Sequence, residues 1–252
     1  MPLALRLWLG RLLFKSLGTA RCTRISRNRM IKGPTLAAEA DALLYVAANT
    51  TVRVPKVHYV YARKSGIYIE MEYVKGRNLE TIWNTLSAKD KERIMKMLAD
   101  VVAQLRKLGP ETPGMVASAT GKESKELRLS YAPFGPFESV DEFHAYVRKY
   151  LPMEATKETF GEEVFRCHMT KYRVCMTHAD LTLRNMIIDK KGRLALIDWE
   201  MAGWRPEYWE YTKAFYDLIS AQDFYDLIKM HFVNYELELA AEKHLWKVFD
   251  RP

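Results

Sequence analysis

Two carboxylates, an amide and an imidazole recur at a spacing that could transfer a phosphoryl group. They stand in His178-Ala179-Asp180-Leu181-Thr182-Leu183-Arg184-Asn185, followed thirteen residues later by Asp198. Transfer from a nucleoside triphosphate needs one carboxylate to orient the attacking hydroxyl and take its proton. It needs a second carboxylate and an amide oxygen to hold Mg²⁺ against the phosphates, because Mg²⁺ takes hard oxygen ligands. His-x-Asp-x4-Asn with a downstream Asp is the spacing of a kinase catalytic loop.

Local structure must bring these groups together. Tyr172 to Thr177 reads as a buried strand. Met186 to Ile188 and Arg193 to Ile197 read as a hairpin around the turn Asp189-Lys190-Lys191-Gly192. The open end of that hairpin sets Asn185 beside Asp198, and the loop carrying Asp180 feeds the same end.

Upstream, Arg24 to Lys32 reads as a short strand, and Gly33-Pro34-Thr35 as the start of a helix ending near Asn49-Thr50. Leu36, Ala40, Leu43, Leu44 and Ala47 form its apolar face, and Glu39 points inward with them. Val57 to Ala62 and Ile67 to Val74 read as strands joined by Arg63-Lys64-Ser65-Gly66. Ser87-Ala88-Lys89-Asp90 caps a long helix closed by Gly109-Pro110. The Gly- and Pro-rich stretch from Gly109 to Pro136 reads as a loop, and a second capped helix begins at Ser139. Strands with one helix thus precede a mainly helical region.

The chain has 252 residues, 48% hydrophobic and 28% charged, within the ordinary range for a globular protein. Its net charge of +8 is uneven. Arg6, Arg11, Lys15, Arg21, Arg24, Arg27, Arg29 and Lys32 all precede the first acidic residue, Glu39, which leaves 31 basic and 31 acidic residues beyond. The excess belongs to an N-terminal arm and not to a face of the fold, so nothing points to a nucleic-acid partner. The arm reads as a basic amphipathic helix lying on the domain or trailing from it, with a membrane-surface helix and a mitochondrial-type targeting segment as alternatives. Leu3 to Leu17 is too short and too charged to span a bilayer. Cys22, Cys167 and Cys175 are scattered and odd in number, which supports neither a disulfide framework nor a zinc site and fits a reducing, cytoplasmic setting.

The sequence resembles the aminoglycoside phosphotransferase and choline kinase-like small-molecule kinases, particularly their fungal members, from about Lys32 to Tyr216. The resemblance rests on Thr177-His178-Ala179-Asp180-Leu181 through Asn185, and on Leu196-Ile197-Asp198-Trp199-Glu200 with Ala202-Gly203. It extends to Val54-Pro55-Lys56-Val57, Glu72-Tyr73-Val74-Lys75-Gly76 and Pro206-Glu207-Tyr208-Trp209-Glu210. It implies an α+β, protein kinase-like, two-lobed fold: a basic arm at 1–23, a small α/β N-lobe with hinge at 24–76, and a larger, mainly helical C-lobe at 77–252. It implies ATP and Mg²⁺ as cofactors and a small-molecule hydroxyl as acceptor. Asp180 would be the catalytic base, Asn185 and Asp198 the Mg²⁺ ligands, and His178 a brace for the loop. Lys32 would contact the ATP phosphates, Glu39 would pair with it, and backbone groups of Glu72, Tyr73 and Val74 would hold the adenine.

One departure stands out. No Gly-x-Gly-x-x-Gly precedes Lys32, so the arm, through Arg24, Arg27 and Arg29, is a substitute source of phosphate contacts. The same gap is what an inactive kinase-like binding module would show. Asp198-Trp199-Glu200 and the lack of an Ala-Pro-Glu segment count against a protein kinase, and the six histidines show no ligand-like spacing for a metallohydrolase. No acidic cluster marks the candidate acceptor loops.

Overall fold

In the computed structural model, which describes residues 2–19, 21–216 and 220–249, the chain forms a small sheet-based lobe and a larger helical one. Helix α1 (Leu3–Leu13) comes first, followed by β1 (Cys22–Arg24), β2 (Arg29–Thr35), α2 (Ala37–Asn49), β3 (Val57–Arg63) and β4 (Gly66–Glu72). The four strands make one antiparallel sheet in the order β1-β2-β4-β3, which sets Lys32 opposite Ile69 at its centre.

The small lobe corrects the strand reading in three places. Arg24 to Lys32 is not one strand but a hairpin. Arg24 folds its guanidinium back onto the carbonyls of Ser26 and Arg27, and the Ser26 hydroxyl accepts the N–H of Asn28. These side-chain bonds close a turn that lacks Gly and Pro. Gly33-Pro34-Thr35 continues β2 rather than starting the helix, which begins after an extended Leu36. The β3–β4 connection is Lys64-Ser65, two residues shorter than expected, with Arg63 and Gly66 paired at its base. On α2, Leu43 is buried as the periodicity requires, but Leu44 is exposed.

The crossing segment does more than release the chain. Gly76 to Asn78 forms β5 (Gly76–Asn78), which pairs with β9 (Met186–Asp189) in a three-stranded sheet completed by β10 (Leu194–Leu196), the expected hairpin. Gly76 has no room for a Cβ against the Ile188 carbonyl, so the crossing segment is tied directly to the β9–β10 hairpin.

After the short α3 (Leu79–Ile82) comes α4 (Ala88–Arg106), capped by Ser87, whose hydroxyl accepts the N–H of Asp90 at 3.2 Å. Ile94, Leu98, Val101, Val102 and Leu105 are buried at helical spacing, and the helix packs on β8 (Val174–Thr177). Between them the Gly109–Pro136 stretch, read as a loop, contains a hairpin of β6 (Ser124–Glu126) and β7 (Ser130–Phe134). Helices α5 (Val140–Val147), α6 (Met153–Phe160) and α7 (Glu162–Met169) follow it. Strand β8 pairs with β11 (Gly203–Pro206), and α8 (Trp209–Ala214), α9 (Gln222–His231) and α10 (Glu236–Phe249) close the lobe. Among the described residues no helix is long and apolar enough to cross a membrane.

Candidate active site

The loop from His178 to Asn185 leaves β8 at the end where β9 and β10 open. The Ile197 N–H donates to the Asn185 carbonyl at 3.0 Å, which holds Asn185 beside Asp198 as the hairpin register demands. Asn185 donates from Nδ2 to the Asp180 carboxylate at 2.6 Å and to the Asp180 carbonyl at 3.0 Å. Its amide oxygen is thereby left as an acceptor. His178 is fully buried; its Nε2 donates to the Ile197 carbonyl at 3.0 Å and its Nδ1 accepts the Asp180 N–H at 3.2 Å. A carbonyl only accepts and an N–H only donates, so the ring is the neutral Nε2–H tautomer. Burial, which lowers its pKa, favours the same neutral state.

Two residues here hold backbone angles that L-residues rarely adopt: Ala179 at φ 62° and Asp198 at φ 66°. The buried carboxylate of Glu210, from α8, accepts the N–H groups of His178 at 2.5 Å and Ala179 at 2.9 Å, fixing the first of these. Burial raises the Glu210 pKa to about 7 against the pull of those two N–H groups. The Trp199 ring, bonded from its Nε1 to the Leu196 carbonyl at 3.0 Å, sits edge-on to His178 and backs the second.

Lys32 enters from the sheet of the small lobe. Its Nζ lies 2.8 Å from Glu39 Oε1, 2.6 Å from Asp198 Oδ1 and 3.9 Å from Glu200 Oε2. Burial would lower the ammonium pKa, but Glu39, Asp198 and Glu200 outweigh it and hold it above its ordinary value. Burial raises the Glu39 carboxyl despite Lys32. Carboxylate oxygens of Glu39, Asp198 and Glu200 come within 4.8 Å of one another around that ammonium.

A cavity of about 390 Å³ opens between the lobes. Lys32, Glu39 and Asp198 stand at its inner end, Glu72, Tyr73 and Val74 along one side, and Met30 and Met71 supply apolar wall. The hinge is partly committed already. Glu72 is ion-paired with Arg53, and the Tyr73 N–H donates to the Asn28 carbonyl at 2.9 Å.

The basic arm divides unexpectedly. Arg24 stacks over the rings of Phe14 and Tyr73, and Arg29 pairs with Glu70 at 3.0 Å, so neither reaches into the cleft. Arg21 instead pairs with Glu200 at 3.1 Å, and Lys125 of β6 meets the same carboxylate at 3.2 Å, beside Lys32. Burial would raise Glu200, but Arg21, Lys32 and Lys125 together hold it below the ordinary carboxylate range.

Sequence reasoning gave no role to Glu200, Glu210, Arg21 or Lys125. Glu200 carried a signal, standing two residues after Asp198, whereas Arg21 and Lys125 meet it only through tertiary contacts. The structure also gathers His144, Cys167 and His168, which spacing had not linked. Their histidine rings are stacked 4.2 Å apart and 9° from parallel, so their in-plane lone pairs do not converge on one ion.

A two-lobed kinase-like fold with its charged groups at the lobe boundary is what these elements define. The family model described as "Phosphotransferase enzyme family" matches residues 22–242, and the chain belongs to that family. Its structure is similar to that of aminoglycoside phosphotransferase APH(4)-Ia, with a TM-score of 0.60 and 14% identity over 87% of this chain and 75% of that one. ADP-bound aminoglycoside phosphotransferase APH(2'')-Ib gives 0.59 and 17% over 92% and 79%. Choline kinase LicA from Streptococcus pneumoniae gives 0.56 and 15% over 97% and 88%. Identities this low speak for the fold alone. None of the curated proteins compared with the chain matches it.

Proposed function

We propose that this chain is an ATP-dependent, Mg²⁺-requiring kinase that phosphorylates a hydroxyl of a small molecule. The observation that carries the reading is that Lys32, Glu39 and Asp198 meet at one wall of the cavity, while the Asn185 carbonyl accepts from Ile197, next to Asp198, and the Asn185 amide bonds the Asp180 carboxylate.

In this account Asp180 accepts the acceptor's hydroxyl proton as the oxygen bonds to the γ-phosphorus and the bond to ADP breaks. The Asn185 amide oxygen and the Asp198 carboxylate are hard donors on adjoining strand ends, a set that suits Mg²⁺. When bound there, Mg²⁺ neutralises phosphate charge and fixes the direction of the leaving group. Lys32 then exchanges Asp198 for phosphate oxygen while keeping Glu39. The backbone edge of Glu72 to Val74 holds the base. Arg21 and Lys125, gathered by Glu200 beside Lys32, supply positive charge in place of the N–H groups of a glycine-rich hairpin.

An alternative, a kinase-like module that binds nucleotide without turnover, is favoured by one feature: α1 and a three-residue β1 stand where that hairpin would be. Incubation with γ-labelled ATP, Mg²⁺ and a panel of hydroxylated small molecules separates the two. Label moving into an acceptor supports the kinase; tight nucleotide binding with no label leaving ATP supports the module.

A further inference from the structure

Glu39 accounts for Lys32, Glu200 for Arg21, and Glu70 for Arg6 and Arg29. Arg11 and Lys15 are exposed and pair with no carboxylate among the described residues. They lie on or just past α1, a helix with two dissimilar faces. One face is fitted to the small lobe. Leu3 and Gly10 are buried, a Cβ at Gly10 would fall 2.5 Å from the Arg24 carbonyl oxygen, and Arg6 grips Glu70 with two bonds of 2.7 Å.

The opposite face carries Leu5, Trp8 and Leu12, which are 43%, 60% and 68% exposed. Steps of three and four residues set them in one stripe. Arg11, three residues after Trp8, stands on its flank, and Lys15 follows two residues past the end of the helix. Beneath that flank, between the end of α1 and β1, a cavity of about 340 Å³ is lined by Arg11, Lys15 and Arg24 together with Phe14. An exposed apolar stripe rimmed by charge marks an interaction surface.

We propose that α1 seats the protein on an anionic lipid surface, with Leu5, Trp8 and Leu12 at the headgroup–acyl boundary and Arg11 and Lys15 against lipid phosphates. Charge selects this occupant. No acidic residue occurs before Glu39, so nothing on the arm repels an anionic surface. A second copy docked face to face would set Arg11 and Lys15 against their own equivalents. The helix is too short to span a bilayer and already held along one side, so it lies in the interface plane. The inference is independent of the kinase reading.

The test is co-sedimentation of the full chain with vesicles of phosphatidylcholine alone and of phosphatidylcholine mixed with phosphatidylserine. Binding to the mixed vesicles, weakened by salt and slight on the neutral ones, is expected. Arg11→Gln with Lys15→Gln lowers that binding about thirtyfold, from roughly fivefold for each cation near the surface. Trp8→Glu with Leu12→Glu lowers it by at least about tenfold. Both pairs are solvent-exposed, so melting temperature stays unchanged and certifies the fold. Absence of vesicle binding, equal binding to both compositions, or binding undiminished in both variants overturns the proposal. So does self-association in analytical ultracentrifugation that the Trp8→Glu, Leu12→Glu variant abolishes without vesicle binding by the wild type, since that gives the face to a second copy.

Discussion

His178 Nε2 lies 3.0 Å from the carbonyl oxygen of Ile197, the residue directly before Asp198. Because its Nδ1 also accepts the Asp180 N–H, one buried ring spaces the two carboxylates that the proposed chemistry needs. His178→Ala is therefore expected to lower kcat about a hundredfold, as misplacement by an ångström does, with little change in the KM for ATP. Steady-state kinetics at saturating Mg²⁺ checks this; an equal loss carried by KM alone would contradict the positioning role.

Lys32 and Glu39 form a buried pair, and removing one partner strands the other. Lys32→Met is expected to abolish turnover and to destabilise the fold by about 3–5 kcal/mol. Lys32→Met combined with Glu39→Leu is expected to recover most of that stability and none of the activity. Denaturant melts of the two variants beside the wild type decide it, and equal stability of single and double variants counts against an essential pairing.

The approach of Asp180, Asn185 and Asp198 to one another was legible in the sequence because its geometry is local. Asn185 and Asp198 flank a short hairpin, and Asp180 sits on the loop that feeds it, so spacing alone fixes their approach. The β1–β2 turn was hidden because Arg24 and Ser26 make it with side chains rather than with Gly or Pro. Arg21 and Lys125 were invisible for another reason: they meet on Glu200 from residues far apart in the chain, and no periodicity encodes such a meeting. Glu210 read as one acid in an aromatic run, and only the buried N–H groups of His178 and Ala179 give it a purpose.

Glu210 makes stability depend on pH. Its carboxyl titrates near 7 in the fold against 4.5 as its ordinary value, so the native state binds the proton more tightly than the unfolded chain. The sign follows: this contribution is full below about pH 4.5 and is lost as pH rises through about 7, by ~3 kcal/mol at most. Glu210→Gln sets an amide N–H against a backbone N–H and is expected to cost about 1–3 kcal/mol. It should also flatten the stability profile between those two pH values. Urea midpoints across that range measure both effects, and a slope unchanged in the variant would assign the titration elsewhere.

Arg21 and Lys125, rather than Arg27 and Arg29, are expected to serve the nucleotide. Arg21→Ala with Lys125→Ala should raise the KM for ATP about tenfold, the scale of losing charge-assisted phosphate bonds. Arg27→Ala with Arg29→Ala should leave it unchanged. The reverse pattern would return the phosphate contacts to the outer arm.

The most direct test of the central claim is slow ATP hydrolysis by the purified full chain, with and without Mg²⁺, beside Asp180→Asn and Asp198→Asn. The account predicts hydrolysis that requires Mg²⁺ and falls by about two orders of magnitude or more in each variant. Hydrolysis that is absent from the wild type while ATP still binds, or that persists in both variants, would contradict it.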